Sequence, residues 1–385
     1  MTMGNPAAGF GFSLPARVIF GRGEADKAPA LVAAFGRRVL IVHGRTPARA
    51  GALIRGLAAL GISTATLPCA AEPTLPLLEE GLREARPFRP DAVVALGGGS
   101  VIDMGKALAA LIPAPGPPMD HLEVVGRGLP LAAAPLPFVA LPTTAGTGAE
   151  ATRNAVIGLP DHGRKVSIRD ERMLPRLAIV DPALTDGCPR EVTLASGLDA
   201  LAQVIEPYVS SRATPFTDAI SRPAIGPGLR ALVRLMTDED AAARDTLAWV
   251  SLSGGIALAN GGLGAVHGLA GVIGGLCPAA HGAICGALLG PVIACNRARA
   301  EGAAALRLAE VCDEIGAVLG CSAHEAPMAL GSWVRSAGLP GLVAQGLPVP
   351  LFRQAAEAAL SSSSMKGNPV QLDIDTLEEI LRQAA

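Results

Sequence analysis

"DAVVALGGGSVIDMGK", residues 91–106, decides how the chain folds. An apolar run from Ala92 to Leu96 enters Gly97, Gly98, Gly99 and Ser100, and a helical pattern starts at once with Val101. A short apolar run bounded by glycine predicts a strand buried on both faces, as in a parallel sheet covered by helices. Glycine permits a tight turn and close backbone approach. The N–H groups that open a helix have no partner of their own, so this junction suits an anion such as a pyrophosphate, with Asp103 in the first turn of the helix. The spacing differs from G-x-G-x-x-G, and glycine triplets also make plain turns.

Outward from this junction the pattern repeats. Strands are predicted at "RRVLIVHG" (37–44), "FVALPTT" (138–144) and "RLAIVDP" (176–182), with helices through "RAGALIRGLAALG" (49–61) and "VIDMGKALAALI" (101–112) and a surface loop at "PAPGPPMD" (113–120). A second loop, "LPTTAGTGAEAT" (141–152), also follows a strand, and its Thr143, Thr144 and Thr147 offer hydroxyl and amide donors to a ribose and phosphate, or form a simple turn. Two such loops after parallel strands favour a ligand, because open α/β sheets bind at the carboxyl ends of their strands.

After "DPALTDGCP" the strand signals stop. Helices are predicted at 190–209, 240–260, 281–296, 300–318 and 374–384. The expected organisation is an α/β dinucleotide-binding domain over 1–187, a parallel sheet flanked by helices, and an all-helical metal-binding and substrate domain over 188–385.

Composition narrows the function. The 385 residues are 50% hydrophobic and 17% charged, with a net charge of −2 and no block of Lys or Arg, which argues against nucleic acid and anionic membranes as partners. The start, "MTMGNPAAGFGFSLP", lacks the charged beginning and apolar core of a secretory signal, and seven irregularly spaced cysteines read as reduced thiols. A cytoplasmic location is the expectation. Thr246 to Asn296 contains no Asp, Glu, Lys or Arg, yet it is crowded with glycine and holds Asn260, His267 and His281, so it is read as helices packed in a core rather than a membrane span.

Within "SGLDALAQVIEPYV" (196–209), Asp199 and Gln203 lie four residues apart on one face of an apolar helix. They are either a hydrogen-bonded pair in a packing face or two ligands of a metal ion. His267 and His281 complete a plausible four-ligand set for iron or zinc, although each histidine alone also suits a satisfied core position. A rival set is Cys277, His281 and Cys285, which Pro278 interrupts; buried thiols are the simpler account of these cysteines.

"GGGSVIDMGK", "PTTAGTGAEAT", "IVDPALT", "ASGLDALAQVIEPYVS", "AVHGLAG", "AAHGAICG" and "SSSMKGNP" together resemble, in order and spacing, the iron-containing (group III) alcohol dehydrogenases, over nearly the whole chain. The resemblance implies the dehydroquinate synthase-like fold of that family, with NAD or NADP and a divalent metal, Fe2+ or Zn2+, in a cleft between two domains. It implies cofactor contacts at Gly98, Gly99, Ser100, Asp103, Thr143, Thr144, Thr147, Lys165 and Leu184, with Gly97 in the same turn, and metal ligands at Asp199, Gln203, His267 and His281. No catalytic residue apart from the ligands is implied. Homo-oligomers are usual for such proteins.

Three positions depart from the family pattern. Gln203 stands where a histidine is usual, and a neutral amide oxygen is the poorer ligand. Gly271 stands where a second cleft histidine is usual. Gly44 and Arg45 follow the second strand in place of an acidic residue that holds the ribose 2′-hydroxyl in many members, so a 2′-phosphate is tolerated, and Arg45 either pairs with it or is a solvated loop charge. The expected reaction is hydride transfer between an alcohol and nicotinamide. The alternatives are reduction of a dicarboxylate of the maleylacetate type, for which Lys165 and Arg169 are the nearest cations, and a non-catalytic NAD(P)H-binding protein with a degraded metal site.

Overall fold

The computed structural model describes residues 9–385; residues 1–8, the beginning of the stretch read for a secretory signal, lie outside it. The chain divides into two compact units, one comprising Leu14–Thr144 and Gly148–Asp186, the other Ala145–Thr147, Gly187–Ala385 and the described residues up to Ser13. Three residues of the threonine loop therefore belong with the helices rather than with the sheet.

The first unit is built on a six-stranded sheet in the order β1-β8-β5-β4-β2-β3. Its strands are β1 (Val18–Phe20), β2 (Arg38–His43), β3 (Ser63–Pro68), β4 (Ala92–Gly97), β5 (Phe138–Pro142) and β8 (Leu177–Val180), and every pairing is parallel. All residues of β4, β5 and β8 are buried, which explains their unbroken apolar runs. Helices α1 (Ala28–Val32), α2 (Gly51–Ala59), α3 (Leu75–Ala85) and α4 (Gly99–Leu111) accompany the sheet. From β2 the chain proceeds outward to β3 on one side, and from β4 to β5 on the other, so the order reverses between β2 and β4. The carboxyl ends of those two strands flank the switch point, the usual ligand position in such sheets.

One element departs from the expected parallel pattern. β6 (Asn154–Leu159) and β7 (Arg164–Arg169) form a separate antiparallel hairpin, turned through Pro160–His162 and Gly163.

The second unit contains α5 (Arg190–Val209), α6 (Pro215–Leu235), α7 (Ala241–Gly261), α8 (Ala265–Leu276), α9 (His281–Arg299), α10 (Gly302–Leu319), α11 (Ala326–Ser336), α12 (Phe352–Leu360) and α13 (Ile374–Gln383). α5 runs through its centre, buried continuously from Gly197 to Val209. The charge-free segment becomes α7, α8 and most of α9. A Cβ at Gly282 would sit 2.3 Å from the Ala195 carbonyl oxygen, so glycine is what lets the first turn of α9 reach α5. Among the described residues no single helix is long and apolar enough to cross a membrane; α7 and α8 pass only as a pair, bent by 98°.

Candidate metal centre and nucleotide loops

In the sheet unit, β2 ends at His43 and hands over to Gly44 and Arg45, while β4 ends at Gly97. Gly98 caps α4, which starts at Gly99 with Ser100 in its first turn. A Cβ on Gly97 would fall 2.5 Å from the Val101 side chain, so a backbone this close to the opening of α4 excludes any side chain. Thr143 donates its N–H to the Gly97 carbonyl at 3.0 Å, and Thr144 lies against Gly98, bringing the two loops side by side. Thr143 and Leu184 line a cavity with Arg49, Leu96, Ala183 and Asp186. Backbone amides at a helix start, beside hydroxyls and an apolar shelf, fit a nucleotide.

The remaining predicted nucleotide residues occupy several settings. Asp103 accepts the Val156 N–H at 3.2 Å, tying α4 to the hairpin. Lys165 on β7 pairs with Glu72, and Arg169 pairs with Glu123, so both cations named for a dicarboxylate already face a carboxylate. Arg45 is exposed, its guanidinium reaching the Ala70 carbonyl at 3.4 Å. Thr147 belongs to the helical unit.

Lys106 is a residue that the motif-based reading passes over. Fully buried, it donates to the carbonyls of Ala149 and Asn154, both at 2.8 Å, and to the Thr152 hydroxyl at 2.9 Å, pinning the end of the threonine loop to α4. Burial lowers its pKa to about 8 and raises that of neighbouring Glu150 to about 7.

In the helical unit, Asp199, Gln203 and Glu206 line one buried face of α5. Buried carboxylates are costly unless paired, and both are paired here. Glu206 accepts the Val266 N–H at 2.7 Å, satisfying an open donor at the start of α8, and its Oε2 lies 2.6 Å from His267 Nδ1. That contact turns the other ring nitrogen, Nε2, to within 3.2 Å of Asp199 Oδ1. His281, first residue of α9, brings its Nε2 to 3.9 Å from the same oxygen. Glu206 was absent from the expected set, although its spacing from Asp199 and Gln203 was available as a signal.

Cys285, one turn beyond His281, places its Sγ 3.6 Å from His281 Nε2 and 3.9 Å from His267 Nε2. The rival set thus divides: Cys285 joins the cluster, while Cys277 ends α8 outside it. Ligand atoms of Asp199, His267, His281 and Cys285 all lie within 4.8 Å of one another. Gln203 adjoins them differently, hydrogen-bonding to the Asp199 carboxylate, with its Oε1 buried and without a partner.

Burial disfavours charge throughout the cluster, yet the groups overrule it mutually. Burial would raise the Asp199 pKa, but hydrogen bonding from His267 and the histidine charges hold it below the usual carboxylate value. Burial would lower both imidazoles, but the Cys285 sulfur and the Asp199 carboxylate raise His267 well above its usual range and His281 to about 9. Such a cluster holds protons that a divalent cation can displace. A carboxylate, two imidazoles and a thiol are donors that borderline divalent metals accept, so these residues fit the cation. The His281 side chain is 34% exposed, against 7% for His267 and 2% for Asp199, so the cluster opens to solvent at His281.

Residues 15–182 match the family model "Iron-containing alcohol dehydrogenase", and residues 193–385 match "Fe-containing alcohol dehydrogenase family, C-terminal". The chain is 30% identical to the NAD-dependent methanol dehydrogenase of Bacillus methanolicus over 97% of this chain and 99% of that one. Among solved structures, a 1,3-propanediol oxidoreductase superposes with a TM-score of 0.88 at 28% identity, over 98% of this chain and 100% of that one. An iron-containing alcohol dehydrogenase from Thermococcus thioreducens gives 0.86 at 28% identity, over 97% and 99%. With both halves matched in order and a full-length relative at this identity, the chain belongs to the iron-containing alcohol dehydrogenase family.

Proposed function

We propose that this NAD(P)-linked oxidoreductase interconverts a small alcohol and its aldehyde or ketone, with Asp199, His267 and His281 holding a divalent cation, and the Gly97–Ser100 and Thr143–Thr147 loops holding the nucleotide. The observation that carries the assignment is the convergence of one carboxylate and two imidazoles from three helices onto one buried point. When bound, the cation supplies Lewis acidity at the substrate oxygen, and the nicotinamide supplies or accepts the hydride.

The chain's own residues prepare that chemistry. Glu206 accepts the proton of His267 Nδ1, which leaves Nε2, hydrogen-bonded to Asp199, as the nitrogen that would take the cation once its own proton is displaced. Asp199, itself almost fully buried, contributes negative charge directly to the cation site. Gln203 steadies that carboxylate through its hydrogen bond. The partial exposure of His281 supports substrate entry on its side of the cluster. In the sheet unit, the opening amides of α4 would hold the pyrophosphate, and Gly44 with Arg45 would tolerate the 2′-phosphate of NADP as well as the hydroxyl of NAD.

Methanol and 1,3-propanediol, named for the two relatives, direct the choice of substrate towards short primary alcohols. Seven free cysteines support a cytoplasmic setting, and the apolar composition supports burial between copies in a homo-oligomer. The composition does not favour nucleic acid or a membrane as partner.

The test is metal analysis of the purified protein together with NAD(P)H oxidation against a panel of aldehydes, before and after chelation. Stoichiometric metal and chelator-sensitive turnover are expected. Nucleotide binding without turnover in the presence of added iron or zinc would make the chain a non-catalytic NAD(P)H-binding protein.

A further inference from the structure

Gln203 and Cys285 occupy matching places in the cluster. Each lies one helical turn after a residue of the cation site, Gln203 after Asp199 on α5 and Cys285 after His281 on α9. They differ in what they offer. Gln203 hydrogen-bonds to Asp199, and its Oε1 lies 3.4 Å from where a Cβ on Gly254 of α7 would stand. Cys285 is fully buried, and its sulfur faces both imidazoles.

The distances among the four ligand atoms carry the argument. A tetrahedral cation with bonds of about 2.0 Å to nitrogen or oxygen and about 2.3 Å to sulfur sets its ligand atoms about 3.3–3.6 Å apart. Here Asp199 Oδ1 stands 3.2 Å from His267 Nε2 and 3.9 Å from His281 Nε2, and Cys285 Sγ stands 3.9 Å and 3.6 Å from the same two nitrogens. These are four of the six edges of one tetrahedron, none more than about 0.6 Å from its ideal length, and all six lie within 4.8 Å. A cysteine merely filling a core would face aliphatic side chains rather than two ring nitrogens that also face a carboxylate.

We propose that the Cys285 thiolate is a direct ligand of the cation, completing a sphere with Asp199, His267 and His281, and that Gln203 remains outside it as a hydrogen-bonding support of Asp199. The inference rests on the assignment of Asp199, His267 and His281 to a cation. A thiolate is a soft donor, so its presence moves the preference of the site from iron towards zinc.

Cobalt(II) reports its ligands by absorption and tests this directly in the full-length protein after chelation and reloading. The wild type is expected to show ligand-field bands of a four-coordinate ion together with a near-ultraviolet thiolate-to-cobalt charge-transfer band. That band should disappear in Cys285→Ser and in Cys285→Ala and persist in Gln203→Ala. Zinc affinity, measured by competition with a chelating dye, should fall by at least about 100-fold in Cys285→Ser, beyond the cost of losing an outer-sphere partner. Ligand-field bands without a charge-transfer band in the wild type would overturn the inference while leaving the cation site intact. A charge-transfer band that survives both Cys285 variants would overturn it likewise. Failure of the wild type to take up cobalt would remove the cation site itself, and the inference with it. Two substitutions at Cys285 keep the assignment of the band testable if one variant fails to fold, and a wild-type spectrum without the band overturns the inference by itself.

Discussion

At Gly97–Ser100 the groups offered to a ligand are backbone amides, and side chains are absent so that they can be reached; at Asp199 they are side chains from three helices, each held by the next. In the first region the decisive contact is steric, the 2.5 Å that a Cβ on Gly97 would leave to Val101. In the second it is electrostatic, a carboxylate and two imidazoles whose proton affinities are shifted by one another and by the Cys285 sulfur against the effect of burial. A site made of contiguous backbone is damaged by adding atoms. A site made of converging side chains is damaged by removing them, and the damage spreads to the partners left unpaired.

Replacing both imidazoles gives the largest expected effect. His267→Ala combined with His281→Ala should abolish stoichiometric metal and lower turnover on the order of 10³-fold or more, the scale of several kcal/mol of lost Lewis-acid stabilisation. NADPH binding, followed by fluorescence, should survive. Unchanged turnover would end the distinction between the two regions.

Glu206→Gln tests the layer behind the ligands. It should weaken metal binding by about 10–100-fold in a chelator competition, the usual cost of losing an orienting carboxylate behind a metal-bound imidazole. Nucleotide affinity should not move.

Gly97→Ala is the converse. Forcing a methyl against Val101 should destabilise the protein by about 1–3 kcal/mol and weaken nucleotide binding, seen as a lower Tm and a raised KM for NAD(P)H. Metal content should be unaffected. Arg45→Ala should cost about tenfold in NADPH affinity relative to NADH, about the worth of one charge-assisted hydrogen bond. Equal losses for both nucleotides would remove Arg45 from the 2′-position.

The smallest expected effect concerns Glu150. Burial raises its pKa from 4.5 to about 7, so between those values the folded chain retains a proton that the unfolded chain has released. Stability contributed by that proton is complete below 4.5 and declines as pH rises to about 7. Glu150→Gln should flatten the decline in Tm over this window; an unaltered slope would show that the carboxyl is already ionised.

Much of the sheet unit is legible from local pattern, since β2, β4, β5 and β8 are continuous apolar runs bounded by turn residues. β3, "STATLP", is half-exposed at a sheet edge, and β1 has only three residues, so neither produces a strong period. The hairpin β6–β7 alternates buried and open residues around a Gly163 turn, a weaker signal than the unbroken apolar runs of the parallel strands. The predicted helices omit 215–235, where Pro223 and Pro227 argue against a helix; α6 forms nevertheless, because eleven of its residues are buried and packing outweighs propensity. In the candidate site, Asp199, His267 and His281 are named by residue type and setting, but Cys285 enters only in the rival set with Cys277 and His281, and reads more simply as a buried thiol until packing brings it beside His267.

The positions of the buried strands β2, β4, β5 and β8, the glycine junction and the polar positions on α5 follow from the chain alone, because each depends on neighbours a few residues away and on the periods of strand and helix; the order of the strands in the sheet does not, since β1 pairs with β8. Which polar residues meet is different. That Glu206 orients His267, that Lys106 holds the threonine loop, and that Cys285 rather than Gln203 turns its donor atom towards the imidazoles depend on helices and loops separated by tens of residues along the chain. Only packing decides such encounters, because a buried polar group takes its character from whatever folding brings against it.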